Sequence, residues 1–488
     1  MHILLLFPIL LPMIGGLLLL CVRPLQGKIS MRVTSGIGLG LTALFVLLTA
    51  RYDSLALPVF TLTDKMTLVL KMDGVGRLFA VLISLVFLAV GIYSFEYLKH
   101  EEREHQFMGF YLLSLGALMG LCLAGSLITF YFFYEMMTLL SLPLVLHERT
   151  PEAVAAGKKY LYFSCFGALC GLFGIFALAP YASTLEFMAG GTLKDGEGGA
   201  AFVLAVTFVM ILGFGVKAGL FPLHSWLPTA HPVAPAPASA VLSGLIAKAG
   251  VLGIIRTVFY IVGADTLRGS WVQIAWMILA LITVVMGSTM AFREDVLKKR
   301  LAYSTVSQLS YILLGLSCLN TEGFVGALSH VVFHALIKSA LFLVAGSIIF
   351  KTGCTKVSQL HGIGKKMPIT MWGWTLVSLG LIGIPPTSGF ISKWHLGQGS
   401  LDAGLGALDY IGPVCLIISA LLTAIYLLQP VISGFFVGKD GYKDVVDMEP
   451  SSVMWVPIIV LAAASVLYGI FPDSLLRVIQ SIAAGILL

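Results

Sequence analysis

Glu135, Lys217, Lys248, Lys338 and Lys393 each sit inside a long apolar run, and His330 and His334 share the run that holds Lys338. A charge at the centre of a bilayer costs at least about 2.5–3.5 kcal/mol on insertion scales, so such residues usually mark an ion path or a paired site. Glu135 is the one acid among them. It reads either as a lone carboxyl kept neutral by hydrogen bonds or as the partner of one of the lysines. Burial raises a carboxyl pKa and a nearby cation lowers it, so a pair that opens and closes controls a proton. Desolvation brings a lysine toward the working range, which suits it to take up and release protons. One buried lysine could be an anchor; four of them, on four separate runs, read as a shared relay. His330, His334 and Lys338 follow one another every four residues and so fall roughly on one helix face. HxxxH binds metal in other settings, but no nearby acid completes a ligand set and HExxH is absent. The stripe reads as a carrier of protons or ordered water, with plain interhelical hydrogen bonds as the alternative. Arg256 lies nearer the end of its run and is expected to reach out to the interface.

Two runs carry helix breakers beside a lysine. One is Gly213-Phe-Gly-Val-Lys217-Ala-Gly-Leu-Phe-Pro222, leading into LHSWLPTAHPVAPAPASA; the other is Gly383-Ile-Pro385-Pro386-Thr-Ser-Gly389-Phe-Ile-Ser-Lys393. Proline removes a backbone donor and clashes with the preceding turn. The freed groups are tolerated at membrane depth only where protein or water covers them. Interrupted segments at matching places in two halves point to an inverted repeat with an ion site at mid-membrane. Two incidental proline kinks are the plain alternative.

The elements that hold these residues follow from composition. Of 488 residues, 58% are apolar and 11% charged, where a soluble domain has about 25% charged residues. Apolar blocks of roughly 20 residues, the length of one bilayer crossing, recur from end to end. This excludes a soluble enzyme, a nucleic-acid binder and a disordered chain, and the lack of alternating polarity excludes a membrane β-barrel. About fourteen helices are expected, over 3–22, 31–50, 76–98, 108–125, 127–147, 159–181, 201–221, 234–262, 271–292, 301–319, 325–350, 370–396, 409–437 and 452–471. The first block lacks a basic leader or cleavage site and reads as a retained helix.

The net charge of +6 is read as topology. With the N-terminus outside, the inner connections hold Arg23, Lys28, Arg32, Lys99, Arg103, Arg149, Lys298, Lys299, Arg300, Lys439 and Lys443 among others. The outer ones hold few basic residues, such as Lys65, Lys194 and Arg268. Both termini are then non-cytoplasmic. The outer loops around 51–75 and 182–200 are too short for a catalytic domain, and the tail after the last helix is short enough to lie along the membrane surface. The seven cysteines contain no CxxC pair and read mostly as small hydrophobes, so no Fe–S cluster, metal or other cofactor is expected on this chain. Gly36-Ile-Gly-Leu-Gly40 lacks the strand–turn–helix setting of a dinucleotide site and reads as close helix packing, and Phe130 to Tyr134 reads as packing and interface anchoring.

FYFFYEMMTLLSLPLV around Glu135, GVKAGLFPLHSWLPTAHPVAPAPASAVLSG followed by Lys248, LKKRLAYSTVSQLSYILLGL, HVVFHALIKSALFLVAG and GIPPTSGFISKW together span most of residues 100–400. In combination they resemble the antiporter-like, proton-conducting membrane subunits shared by complex I, Mrp cation/proton antiporters and membrane-bound hydrogenases. The resemblance implies an all-α polytopic membrane protein of about fourteen transmembrane helices, with helices 7 and 12 broken. Helices 1–3 would fill 1–107, one inverted five-helix repeat (helices 4–8) 108–262 and its counterpart (helices 9–13) 271–437. Helix 14 and a short tail would fill 438–488. It further implies Glu135 and Lys217 as the charge pair of a first half-channel, Lys248 as the link to the centre, His330, His334 and Lys338 as the continuing relay, and Lys393 as its end. A lysine at position 393 matches the D-type Mrp subunit. The short tail points away from the complex I branch with a long lateral helix, and AHPVAP toward the hydrogenase-linked branch; the branch stays open.

Such a subunit is expected in the plasma membrane of a prokaryote. Its expected partners are the bilayer, other integral membrane subunits and redox subunits bearing Fe–S centres, with H⁺ as cargo and Na⁺ left open. It would serve an oxidoreductase or translocase complex without a redox centre of its own. A self-contained secondary solute transporter is the rival from another class, and a structural membrane scaffold a third reading. The buried charges speak against a scaffold, which gains nothing from them.

Overall fold

The computed structural model describes residues 2–52, 55–63, 65–193, 199–436 and 448–487. Lys194, Lys439 and Lys443, which entered the loop-charge reading, lie outside the described residues, as does much of the glycine-rich stretch before residue 199.

The chain is mostly helical. In order run α1 (Phe7–Cys21), α2 (Lys28–Thr49), a β-hairpin, α3 (Gly74–Tyr97), α4 (Glu104–Cys122), α5 (Leu127–Val145), α6 (Pro151–Leu178) and α7 (Ala200–Lys217). A short helix, Leu227–Val233, leads into α8 (Ala236–Val262), a helix with two π-helical stretches. Then come α9 (Trp271–Arg293), α10 (Leu297–Ser317), α11 (Thr321–Thr352), α12a (Pro368–Ile382), α12b (Ser388–Leu401), α13 (Ala407–Phe435), α14 (Ser452–Ile470) and α15 (Asp473–Leu487).

Among the described residues, twelve helices are long and apolar enough to cross a membrane. Two segments read from the sequence fall outside that set for different reasons. α10 is continuous, but Ser304, Thr305, Ser307, Gln308 and Ser310 dilute its hydropathy; all are buried against other helices, so no lipid meets them. The 370–396 segment is split: Gly383 caps α12a with φ +88°, and α12b begins after Thr387, whose hydroxyl donates back to Ile384 O at 2.7 Å. Glycine suits that left-handed position because it has no Cβ to clash.

α8 and α11 lie at the middle of the molecule and are almost wholly enclosed by other helices. The outer helices turn exposed apolar side chains such as Phe166, Phe173, Ile417 and Leu421 outward, as a bilayer permits. The loop after α2 holds an antiparallel hairpin not anticipated from the sequence. Its strands β1 (Ala56–Thr63) and β2 (Met66–Lys71) pair from Ala56 opposite Lys71 to Thr63 opposite Met66. It is fastened to the α4–α5 junction, where Ser126 Oγ donates to Thr67 O at 2.6 Å. The 36–40 glycine run makes no close helix approach: a Cβ on Gly38 would meet Leu112 at an ordinary contact distance of 3.4 Å, and Gly36 and Gly40 face open space. Phe130 and Tyr134 pack edge-on against Phe214, as expected of a packing cluster.

Candidate functional site

α7 stops at Lys217, and residues 218–226 form turns instead of continuing the helix. The opened backbone is re-covered by protein: Trp226 Nε1 donates to Val216 O at 2.8 Å, and Phe221 N donates to Thr283 Oγ1 at 3.0 Å. Lys217 is fully buried. Its ammonium donates to Thr138 Oγ1 at 3.0 Å, Tyr160 OH at 2.9 Å and Ser164 Oγ at 2.9 Å. It also stands 4.4 Å from the centre of the Tyr160 ring, a cation–π contact. Three hydroxyls and an aromatic face thus take the place of a carboxylate.

Glu135 is half-buried one helix away and accepts from Tyr131 OH at 3.4 Å. Glu135 and Thr138 are three residues apart on α5 and share a face, yet only Thr138 touches the lysine. Among the described residues no ion pair joins Glu135 to Lys217; the expected pair is open, with Lys217 in its hydroxyl cage and Glu135 on Tyr131.

Lys248 follows the π-helical turn Leu242–Ile246 of α8. Its ammonium donates to Gly244 O, and it bonds His334 Nδ1 at 2.9 Å. A π-turn departs from the regular i→i−4 ladder, a frequent device at functional sites. Among the described residues His334 Nε2 has no protein partner; neither does Nε2 of His330, whose ring centre is 5.9 Å away. His330 Nδ1 bonds Ser392 Oγ at 2.9 Å. The neighbouring Lys393 donates to Leu381 O and Ile382 O, both at 2.7 Å, the last carbonyls of α12a. Those carbonyls are the negative end of a helix dipole, a natural seat for an ammonium. The Tyr311 ring lies 5.3 Å from Lys393 Nζ and 5.5 Å from the His330 ring.

Lys338 shares a helix face with the two histidines, and its ammonium donates to Leu301 O at 3.0 Å. Near it is His231, fully buried and stacked on Phe342 at 4.8 Å, with neither ring nitrogen partnered among the described residues. Lys298 Nζ closes the short helix that carries His231 by donating to Ala234 O at 2.8 Å. Beyond Lys298 lie Glu101 and Glu148, in loops off the membrane segments. Burial raises both carboxyls above their ordinary value, Glu148 adds to the effect on Glu101, and Lys298 opposes it.

Arg256 reaches the end of α3, where Asp73 stands at the N-cap. It is fully buried and held by both carboxylate oxygens of Asp73, Nη2 to Oδ1 at 2.8 Å, between the rings of Phe187 and Tyr260 at 4.7 Å each. Asp73 also caps α3 by accepting from Gly76 N at 2.7 Å. The partner is 183 residues away in sequence.

The structure therefore brings Lys248, His334, His330, Ser392 and Lys393 into one row, sets Lys217 on one side of it and Lys338 on another, and leaves Glu135 apart. Thr138, Tyr160, Ser164, Ser392, Tyr311 and His231 complete the surroundings and were not singled out from the sequence. Hydroxyls in membrane helices are common packing groups, so only the i, i+4 spacing of Tyr160 and Ser164 on α6 hinted at a shared target.

The family profile described as NADH:quinone oxidoreductase/Mrp antiporter, transmembrane, matches residues 124–419. The chain belongs to that family. NADH-quinone oxidoreductase subunit N of Desulforudis audaxviator is 32% identical over 426 residues, covering 84% of each chain. The D-type subunit of the Na⁺/H⁺ antiporter of Alkalihalophilus pseudofirmus is 29% identical, over 86% of this chain and 84% of its own. Hydrogenase-4 component B of Escherichia coli is 32% identical over 74% of this chain and 55% of its own length. The fold is shared with a chain of the Mrp complex from Dietzia sp., at TM-score 0.85 and 22% identity over 100% of this chain and 97% of that one. It is shared equally with a chain of an archaeal membrane-bound sulfane sulfur reductase, at TM-score 0.86 and 22% identity over 100% and 98%. All seven residues singled out from the sequence lie in the matched region of this antiporter-like membrane subunit.

Proposed function

We propose that this chain is the proton-translocating, antiporter-like subunit of a multi-subunit membrane complex. The observation that carries the reading is the row Lys248–His334–His330–Ser392–Lys393 between α8, α11 and α12b, buried as far as Ser392, in which side-chain hydrogen bonds join Lys248 to His334 and His330 to Ser392 and the two imidazoles stand 5.9 Å apart. Its groups are ammoniums, imidazoles and a hydroxyl, which exchange protons but repel or ill fit a second cation; this favours H⁺ over Na⁺ as cargo.

In the mechanism, Lys217 trades its hydroxyl partners for Glu135. Closure of that pair holds the proton; reopening releases it toward Lys248, and it passes by way of His334 and His330 to Lys393. His231 and Lys338, backed by Lys298, Glu101 and Glu148, offer the row a supply from the face on which those loops lie. Residues 108–262 and 271–437 act as two inverted five-helix units around this row, with both termini on the non-cytoplasmic side of a prokaryotic plasma membrane. Neighbouring membrane subunits, and redox subunits where the complex has them, supply the driving force.

The test is the native complex in proteoliposomes with Lys217→Ala. Coupled proton movement is expected to disappear while subunit mass spectrometry shows the complex still assembled. Coupled transport at the wild-type rate would sink the reading. The same mass spectrometry separates a redox-driven complex, which retains Fe–S subunits, from an antiporter assembled of membrane subunits alone.

A further inference from the structure

A cleft of about 1330 Å³ lies on the face of α11 turned away from the proton row. Val332 and Leu336 form its floor, two residues removed from His330 and His334 and hence on the opposite side of the helix. α3, α14 and α15 form its walls. Its lining runs from Gly74 to Ile92 along α3, about 27 Å at 1.5 Å per residue, close to the thickness of a bilayer's hydrocarbon core, about 30 Å.

The lining is divided by chemistry. Leu85, Ile92, Val456 and Val460 are apolar and remain exposed at membrane depth. Lys71, Arg77 and Arg477 all stand at the end where α3 begins and α14 finishes. Asp73, the carboxylate that lines the cleft, is bound by Arg256, and Asp473 stands one turn before Arg477 outside the lining. α15 roofs that end, with Ile482 directed at Gly74, Val478 lining the cleft beside it, and Arg477 at the mouth.

We infer that the cleft holds one phospholipid with an anionic headgroup, its phosphate among Arg77, Arg477 and Lys71 and its acyl chains between α3 and α14. The charges gather at one end of a long apolar slot, which is the distribution of a single amphiphile. An acyl chain meets no loss on leaving other lipid tails, and in a concave slot it touches several helices at once. A chain bound there would brace α11 from behind the row. The inference rests on the chain's membrane fold and not on the proton reading.

The experiment places the native complex in phosphatidylcholine nanodiscs doped with a diazirine-tailed lipid, either phosphatidylglycerol or phosphatidylcholine, and maps photolabelled peptides. Peptides of α3 and α14 should be labelled about fivefold more by phosphatidylglycerol, the discrimination expected of one cation near the membrane surface. Arg477 is exposed, so Arg477→Gln should leave assembly intact and bring phosphatidylglycerol labelling down toward the phosphatidylcholine level. Leu85→Trp, which fills the slot, should lower labelling by both lipids. Equal labelling by the two headgroups, labelling indifferent to Arg477→Gln, or cross-links to a helix of another subunit in place of lipid would each overturn the inference.

Discussion

His334 is the point at which the proposed relay separates most cleanly from a merely structural hydrogen bond. Its Nδ1 is the one side-chain partner of the Lys248 ammonium among the described residues, at 2.9 Å; the other contact is the Gly244 carbonyl. Asparagine places its side-chain oxygen close to the position of Nδ1, so His334→Asn keeps an acceptor for Lys248 but no group able to take up and pass on a proton. His334→Leu removes both. A hydrogen bond to a charged group is worth about 1.5–3 kcal/mol, which for a chain of 488 residues lowers melting of the leucine variant by about 1.5–3 °C, and the asparagine variant should stay near wild type. A positioned acid–base group typically contributes about 10²–10⁴-fold in rate; both variants should therefore lose at least about 100-fold in coupled proton movement. The assay is dye-reported acidification of proteoliposomes holding the whole complex, with a thermal melt on the same preparation. If His334→Asn pumped at close to the wild-type rate, the hydrogen bond alone would be what matters and the relay through His334 would be wrong.

Two further outcomes follow from charges away from the row. Asp73→Asn should strip the fully buried Arg256 of its counter-charge, at a cost of about 3–5 kcal/mol, and lower the yield of assembled complex. The double variant with Arg256→Gln should recover much of it, and a harmless single Asp73→Asn would refute the pair's importance. His147, in the turn after α5, is held down to about 4 from an ordinary 6.5 by burial, with Arg149 and Arg103 adding to the effect. The unfolded chain thus binds the proton first as pH falls, so stability drains between pH 6.5 and about 4. His147→Gln should flatten that part of the melting-temperature profile, and an unchanged slope in differential scanning fluorimetry would count against it.

The helices were legible because each crossing needs an apolar run of fixed length, and the buried charges because they break such runs. Gly383 and the Pro385–Pro386 pair announced the split of the twelfth segment. What the sequence could not show is where each charge turns. His330, His334 and Lys338 share a face, but Lys338 bonds a carbonyl of α10 while the histidines meet Lys248 and Ser392. That depends on which helix packs beside each turn, a non-local fact. The pairing of Arg256 with Asp73 is non-local in the same way. The hairpin after α2 was missed because Ala56–Thr63 is largely exposed, without the alternation that a half-buried strand displays.

The two lysines beside helix breaks illustrate why residue type and spacing stop short of mechanism. Lys217 and Lys393 look equivalent in sequence, each next to glycine and proline at the interruption of a helix. Lys217 is held by three side-chain hydroxyls, two of which keep another partner when it leaves: Thr138 Oγ1 donates to Tyr134 O and Tyr160 OH bonds Ser141 Oγ. Lys393 is held by two main-chain carbonyls at the end of α12a, fixed by the left-handed Gly383 that closes the helix. Releasing Lys393 means moving backbone or leaving two carbonyls unpaired, which is costly in a membrane interior. Releasing Lys217 frees no main-chain carbonyl; it needs its own side chain to move and a carboxylate to receive it. Under the proposed mechanism the movable element therefore lies in the first half, between Lys217 and Glu135, while the second half offers a fixed seat at which the proton arrives.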